Sequence, residues 1–442
     1  MFGLRRARIL TATGACAVAA VLAATGAAPA FAAAPPPAPT QVCLAPGGAQ
    51  PDQRVDPDAL SADGRYALVD SLADNLTALG GNGNQGVFVC DLHSGRVEEV
   101  DLSTSGGLPD SYGNGGGISA DGRYVVFSST ADNLTPGATK GVANVYLRDL
   151  RTHRTTLVST GSGRLPQVGG SDEPTISADG RYIAYRSTRT DLVPGDTDNA
   201  VDIFVFDRRT GSTVRASVHS DGSQASNGSV EPSISADGSR VSFISLDPSL
   251  ADPTGGALVP HRARFYPLYV HDLRTGRTSV ASVEPDGSTA AVGQGAISAD
   301  GRYAVFTSLD NDYLAPSQVM VRDLEHGTTT VVSAAPGGAQ GDRSSFMIGM
   351  SADDRQVLFT STADNLLPGT APGAYGYYRY DLRTHTTERL LQVADPSNLA
   401  EGLPAVVDAR GCTLLFGADG SELLPGDTDR TPEAFTLHLP RH

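Results

Sequence analysis

A six-residue string that returns at a nearly constant interval is the feature that most constrains the fold of this 442-residue chain. Ser-Ala-Asp-Gly-Arg-Tyr begins at Ser61, Ser119, Ser177 and Ser298, with variants at Ser235 and Ser351. Successive copies start 58, 58, 58, 63 and 53 residues apart, so a long fourth copy is balanced by a short fifth. A degenerate seventh copy covers residues 408–416. Such a period predicts a repeat protein in which each copy forms one supersecondary unit.

Each copy has the pattern of four short β-strands. In the third copy, residues 182–185 and 203–206 are apolar at successive positions, which predicts strands that are covered on both faces. Asp179-Gly180 lies before the first of these segments and predicts a tight hairpin turn. Seven four-stranded sheets that cover one another predict an all-β fold, a seven-bladed β-propeller with four antiparallel strands per blade.

The two ends of the repeat region predict how the ring closes. The last copy ends with its third strand, residues 433–439, so its fourth strand is missing from the C-terminus. Residues 41–50 align with residues 331–340, which form the fourth strand and exit loop of copy five. We therefore expect a propeller that spans residues 41–442, with residues 41–45 completing blade seven as an N-terminal closing strand. This pairing would satisfy backbone groups that an open sheet edge exposes.

The N-terminus has the pattern of an export signal. Three arginines at positions 5, 6 and 8 precede an alanine-rich apolar stretch that ends in Ala30-Phe31-Ala32. This pattern predicts a signal peptide over residues 1–32, cleaved after Ala32, and residues 33–40 form a Pro/Ala-rich linker. Glycine and proline interrupt the apolar stretch and no second one of spanning length follows, so we expect no stable membrane span. The expected product is a secreted or extracytoplasmic monomer.

Charge and cysteine content narrow the partners and the covalent links. Removing the leader takes the formal net charge from −16 to −19, which disfavours nucleic acid and anionic membranes as partners. Cys43, Cys90 and Cys412 remain, so at most one internal disulfide can form in an oxidising compartment. Cys43 and Cys412 fall on the fourth and second strands of one blade, about 9–10 Å apart and beyond disulfide reach. The pairing stays open at this point.

The repeat resembles a known family. The Ser-x-Asp-Gly turn, the aromatic-aliphatic strand after it and the later strand Tyr146-Leu147-Arg148-Asp149-Leu150 are similar to TolB-like β-propellers, the WD-like repeat family of exported bacterial proteins. The resemblance covers the whole mature chain, although the absence of tryptophan removes the Trp-bearing signatures of related propellers. It implies the fold strongly, whereas a fold alone implies function only weakly.

Repetition argues against catalysis by the commonest polar residues. The aspartates of the hairpin turns and third-strand ends recur in six copies, and four histidines occupy equivalent turns: His93, His153, His326 and His385. Equivalent positions in a ring point away from one another and cannot converge on one site. Lyases built on a similar ring use a histidine-rich metal centre on the axis, and no Gly-x-Ser-x-Gly motif is present here. We therefore assign no catalytic residue, and a non-catalytic protein is the favoured interpretation.

Two acidic loops could surround calcium, which prefers six to eight oxygen ligands. Their candidate ligands are Asp196, Asp198 and Asp202 in one loop and Asp427, Asp429 and Glu433 in the other. Both loops lack a central glycine and a bidentate glutamate at the usual distance, so solvated turns are the favoured interpretation. We expect no cofactor, with calcium as the alternative.

Two irregular segments are the best candidates for recognition. They contain His261, Arg262, Arg264, Phe265 and Tyr266 in the expanded fourth copy and Tyr375, Tyr377 and Tyr378 in the sixth. Arginine and aromatic residues are typical of contact surfaces. The sequence therefore predicts an exported scaffold that binds a protein or a cell-envelope glycan through its loop face. The alternative is a carbohydrate-active or metal-dependent lyase or hydrolase, which three or more acids or histidines at the channel mouth would favour.

Overall fold

Each repeat folds into one antiparallel sheet, as its strand pattern predicts. The computed structural model describes residues 38–138, 140–161, 169–247, 249–251, 266–309, 315–370, 372–393, 405–420, 423 and 431–439. The predicted leader and residues 33–37 of the predicted linker lie outside these residues. The described strands form seven four-stranded sheets, so the predicted all-β, seven-bladed propeller is confirmed.

Each blade consists of four strands that follow one another from the axis outward. Blade one contains β2 (Val55–Leu60), β3 (Tyr66–Ser71), β4 (Gly86–Asp91) and β5 (Arg96–Glu99), and blade two contains β6 (Gly113–Ile118), β7 (Tyr124–Ser129), β8 (Asn144–Asp149) and β9 (Arg154–Leu157). Blade three contains β10 (Ser171–Ile176), β11 (Tyr182–Ser187), β12 (Asp202–Asp207) and β13 (Ser212–Arg215), and blade four contains β14 (Ser229–Ile234), β15 (Arg240–Ser245), β16 (Leu268–Asp272) and β17 (Arg277–Val280). Blade five contains β18 (Ala291–Ile297), β19 (Tyr303–Leu309), β20 (Gln318–Asp323) and β21 (Thr328–Val331), and blade six contains β22 (Ser345–Met350), β23 (Gln356–Ser361), β24 (Tyr375–Asp381) and β25 (Thr386–Val393). Blade seven contains β26 (Ala405–Val407), β27 (Thr413–Asp419), β28 (Pro432–His438) and the N-terminal β1 (Thr40–Gln41), and a 3-10 turn covers Pro46–Gly48.

The first strands of the blades surround the axis. Each of them contacts the first strand of the next blade, from β2 through β6, β10, β14, β18 and β22 to β26, and β26 contacts β2 again. The apolar cores lie between adjacent blades, because second and third strands are covered on both sides. Stacked aromatic pairs recur inside the blades, such as Phe127 with Tyr146, whose ring centroids are 5.4 Å apart. This packing explains why the central strands are apolar at successive positions.

Hydrogen bonds between the Asp-Gly turns link neighbouring blades. The Ala120 N–H donates to the Ala178 carbonyl at 2.9 Å, and the Ala178 N–H donates to the Ala236 carbonyl at 3.0 Å. Blade six departs from this pattern because Asp354 replaces the turn glycine and adopts a φ of 55°. Its carboxylate accepts the Ala299 N–H at 3.1 Å, so a side chain replaces the backbone link there.

The ring closes between the two ends of the chain. Thr40 and Gln41 pair with Thr436 and Phe435 of β28, and the Val42 N–H donates to the Ala434 carbonyl at 2.9 Å. The observed strand is shorter than the predicted segment 41–45 and begins one residue earlier. Pairing stops after Val42 because Cys43 has a φ of 59°, outside the extended region that a strand needs.

A disulfide adds a covalent link at the closure. Cys43 follows the closing strand of blade seven and is bonded to Cys90 on β4 of blade one, with their Cα atoms 5.4 Å apart. Cys412 has a free thiol. Strand spacing within one blade excluded a Cys43–Cys412 bond but did not identify another partner. The observed bond crosses between two blades.

Candidate functional site

The two faces of the propeller differ in how their loops are built. Because strands alternate in direction, the Asp-Gly turns and the turns between third and fourth strands lie on one face. The loops between second and third strands and the connections between blades lie on the other, which we call the loop face. In blade one these longer segments cover residues 72–85 and 100–112. The loop face therefore carries the segments that can vary in length and sequence without disturbing the strands.

The repeated acids on the opposite face are held in ion pairs. Arg123 donates two hydrogen bonds to the Asp149 carboxylate, at 3.1 and 2.8 Å. Similar pairs are Arg65–Asp91, Arg181–Asp207, Arg302–Asp323 and Arg355–Asp381, and in blade four Arg240, one position later in the repeat, pairs with Asp272. The Arg123 guanidinium holds the pKa of Asp149 at about 2. These carboxylates join the second and third strands of blades one to six, which accounts for their repetition.

The structure describes only part of the predicted contact surface. His261, Arg262, Arg264 and Phe265 lie outside the described residues. Tyr266 is half-buried, and its carbonyl accepts the Val292 N–H at 3.1 Å. Tyr266 therefore lies beside the first strand of the next blade.

The tyrosines of the sixth copy belong to a strand instead of a loop. Tyr377 and Tyr378 are 2% and 1% exposed, and Tyr378 stacks on Phe359 with centroids 5.4 Å apart. They occupy core positions because both faces of β24 are covered by neighbouring blades. This burial corrects their predicted role as surface contacts. Tyr375 is half-buried and remains a candidate.

The first acidic loop brings its three aspartates together. Oxygens of Asp196, Asp198 and Asp202 lie within 4.8 Å of one another. The cluster already contains a cation, since Arg215 Nη1 lies 3.1 Å from Asp202 Oδ2 and 3.4 Å from Asp196 Oδ1. Burial and the nearby Asp202 raise the pKa of Asp196 to about 6. The guanidinium of Arg215 thus offsets part of the negative charge of these aspartates.

The second acidic loop is described only at its end. Asp427 and Asp429 lie outside the described residues, and Glu433 is a buried residue of β28 with 2% exposure. Within the described part of the chain, the aspartates of the first loop form the one group of three side chains arranged to hold a metal, and no histidine belongs to it.

Two groups of buried acids, which sequence reasoning did not identify, lie between blades one and two. Asp58 and Asp70 of the first two strands are hydrogen-bonded to each other, and burial raises the pKa of both, that of Asp58 to about 7. The Gly115 N–H of blade two donates to Asp70 at 2.8 Å. We call these two residues the carboxyl pair.

The second group, which we call the acidic pocket, consists of Glu99 and Asp101 with Gly86 and Gly113. Glu99 is 5% exposed and Asp101 is fully buried. Glu99 Oε2 and Asp101 Oδ2 have no hydrogen-bond partner among the described residues. Burial raises the pKa of Glu99 to about 8 and that of Asp101 to about 7. A signal was present in the sequence, because Asp101 replaces the serine that four other blades have there.

Exposed apolar side chains also concentrate on the loop face. Within the described residues, five large hydrophobic side chains are exposed: Leu72, Leu79, Tyr112, Val214 and Phe346. Leu72, Leu79 and Tyr112 lie in loop-face segments of blades one and two, and Phe346 lies near the loop-face end of β22. Val214 lies on an outer strand.

Comparison with known proteins supports the fold alone. No family model matches the chain, and no curated protein has significant sequence similarity to it. An oligogalacturonate lyase from Vibrio parahaemolyticus is 13% identical over 88% of this chain and 92% of its own, with a TM-score of 0.53. An oligogalacturonate lyase in complex with manganese is 15% identical over 92% and 97%, with a TM-score of 0.54. TolB from Acinetobacter baumannii is 13% identical over 78% and 64%, with a TM-score of 0.39.

Proposed function

We propose that this chain is an exported recognition propeller that binds a protein or a cell-envelope glycan through its loop face. The observation that carries the proposal is the distribution of exposed apolar side chains, three of the five described ones lying in loop segments of that face. Apolar and aromatic residues in contiguous exposed regions are typical of contact surfaces. No described helix has the length and apolar character needed to cross a membrane. The pattern of residues 1–32 supports export.

The test compares capture of envelope components by matched variants. Leu72→Ser, Leu79→Ser and Tyr112→Ser are combined in one protein, and Val214→Ser, which removes an exposed apolar residue elsewhere, is the control. Each immobilised protein is incubated with the envelope fraction of the producing organism and, separately, with a glycan array. We expect specific capture by the wild type and the control and its loss in the triple variant. Equal capture by all three proteins contradicts the proposal.

A carbohydrate-active enzyme is the second candidate, and the carboxyl pair favours it. Two carboxyls that share a proton can serve as acid and base in glycan cleavage. The two lyase structures share the fold, but their low identity gives no activity to this chain. Incubation with oligogalacturonate, followed by ultraviolet detection of unsaturated products, tests this candidate. Turnover that is lost in Asp70→Asn would support it, and absence of product would count against a lyase of this class.

A further inference from the structure

The internal repeat provides a reference for each residue of the acidic pocket. Glu99 and Arg215 occupy equivalent positions, since each pairs with the phenylalanine in the third position of its blade's third strand, Phe88 or Phe204. The first residue of that strand is Gly86 in blade one and Asp202 in blade three. Blade three therefore contains an acid that faces its own arginine, whereas blade one has a glycine that faces a glutamate.

Asp101 departs from the repeat in the same place. Its Oδ1 accepts the Val87 N–H at 3.1 Å. In four other blades the equivalent backbone N–H donates to a serine hydroxyl, that of Ser159, Ser217, Ser282 or Ser333. The substitution of aspartate for serine leaves the second carboxyl oxygen, Oδ2, without a hydrogen-bond partner among the described residues.

Blade two accommodates this additional carboxyl. A Cβ atom at Gly113 would lie 2.3 Å from Asp101 Oδ2, so any larger residue would collide with the carboxylate. Blades three, four and six have a serine at the position of Gly113, namely Ser171, Ser229 and Ser345. The acid and the facing glycine are therefore complementary departures from the repeat.

Among the described residues, no cation forms a salt bridge with Glu99 or Asp101. The buried Arg148 attracts Asp101 and lowers its pKa in part, but it donates its hydrogen bond to Thr155 Oγ1, at 3.0 Å. Arg54 pairs with Asp56, at 2.5 Å, on the inner side of the blade. Asp70 is also near and adds a further acid. In the free protein, burial raises the pKa values of Glu99 and Asp101 to about 8 and 7, which favours their neutral forms, and a bound cation would stabilise their ionised forms.

We propose that the acidic pocket formed by Glu99, Asp101, Gly86 and Gly113 binds the guanidinium or ammonium group of a basic side chain on the partner. The bound cation takes the part that the internal Arg215 plays in blade three. Gly86, Glu99 and Gly113 all lie at loop-face ends of their strands, the end from which a partner would approach. The exposed Leu72, Leu79 and Tyr112 of the same face would contact the apolar surroundings of that side chain. The inference rests on the proposed function and specifies the chemistry of the partner.

The test uses small probes and needs no knowledge of the partner. Binding of arginine amide to the full mature chain is measured by calorimetry and by the thermal midpoint at pH 8.5. Citrulline amide, the uncharged isostere, and sodium chloride at equal ionic strength are the reference additions. We expect arginine amide to bind and to raise the midpoint, while the reference additions do neither. Affinity should be lower at pH 6, because protonated carboxyls lose the attraction.

Two variants restore the residues of other blades, so they should fold. Asp101→Ser introduces the residue of blades two to five, and Glu99→Leu introduces that of Leu157. Each should weaken arginine amide binding about tenfold or more, as expected for loss of a charge-assisted hydrogen bond. Asp286→Asn removes one exposed acid from the same face and should leave binding unchanged.

The outcomes separate this inference from the proposed function. Equal effects of arginine amide and citrulline amide, or unchanged binding in both pocket variants, would overturn the cation pocket. Stronger stabilisation by calcium chloride that is lost in the same variants would replace it with a metal site. Either result can occur while the triple apolar variant still loses its partner, in which case recognition by the loop face stands without a basic group.

Discussion

Cys43 and Cys90 join the last blade of the ring to the first, with Cα atoms 5.4 Å apart. The closing strand β1 has two residues, whereas the fourth strands of blades one to five have four. Few backbone hydrogen bonds therefore hold the two ends of the chain together. The disulfide compensates by fixing the segment just after the closing strand to β4 of blade one.

Replacing both cysteines should therefore destabilise the ring. A Cys43→Ser, Cys90→Ser double variant loses a link between residues that are 47 positions apart, which is worth about 2–4 kcal/mol. The measurement is the thermal midpoint and the free energy of urea unfolding without reductant. Cys412→Ser, which removes only the free thiol, is the control and should match the wild type. A double variant as stable as the control would show that β1 closes the ring unaided.

The close packing of one blade against a turn glycine of the next should affect the free energy of unfolding. Gly180 has a φ of 69°, and a Cβ atom there would lie 2.5 Å from Tyr124 Cδ2 of the preceding blade. Gly211 has a similar φ of 72° with no atom within 4 Å of the added Cβ. Gly211→Ala should cost about 1–2 kcal/mol through the backbone alone. Gly180→Ala should cost about 1–3 kcal/mol more, because the tyrosine must move.

Urea unfolding of both alanine variants separates these two contributions. Equal losses of unfolding free energy would mean that Tyr124 yields without cost and that the turn glycine is required only for its conformation.

The fold was predictable because the same repeat occurs seven times, so an unusual residue in one copy does not obscure the strand pattern that the other copies share. The closing strand was also predictable, since residues 41–50 align with residues 331–340, the fourth strand and exit loop of copy five. The disulfide was not, because sequence places Cys90 within its blade but does not show which residue of the adjacent blade faces it. The prediction that Tyr377 and Tyr378 lie on the surface was wrong for a related reason. The two side chains point to opposite faces of their strand, and a neighbouring blade covers each face.

The candidate site was harder to predict because the recurring aspartates share structural roles, which drew attention away from the few acids that do not recur. Most aspartates do serve turns and ion pairs, such as Asp149 with Arg123. Glu99 and Asp101 are exceptions that become visible only when each copy is aligned strand by strand. Residues that depart from the repeat therefore carry the proposed site, because the recurring ones already have structural partners.

Stability should be greatest in mildly acidic solution, at about pH 4–5. The pKa of Asp149 is about 2, below the value of about 3.9 in an unfolded chain, so its stabilisation is lost as pH falls from about 4 toward 2. The pKa values of Asp58 and Asp101 are raised to about 7. The unfolded chain releases those protons first, so stability declines as pH rises from about 4 to 7.

Thermal midpoints measured from pH 3 to pH 9 test this profile. A Glu99→Leu, Asp101→Ser double variant should lose part of the decline above pH 5 and keep the acid limb. A wild-type midpoint that peaks near pH 8 would contradict the burial of these carboxyls as neutral groups.

Arg215 should determine whether the aspartates of the first acidic loop respond to calcium. In the wild type its guanidinium lies 3.1 Å from Asp202 and 3.4 Å from Asp196, so calcium would have to displace an internal cation and should leave the thermal midpoint unchanged. Arg215→Met keeps much of the buried stem but leaves three acids without that charge, and its midpoint should fall. Calcium should then restore the midpoint, because carboxylate oxygens within 4.8 Å of one another can share one ion. Asp198→Asn in the same background should abolish the rescue. A calcium response in the wild type that equals that of Arg215→Met would show instead that Arg215 does not occupy the position of the ion.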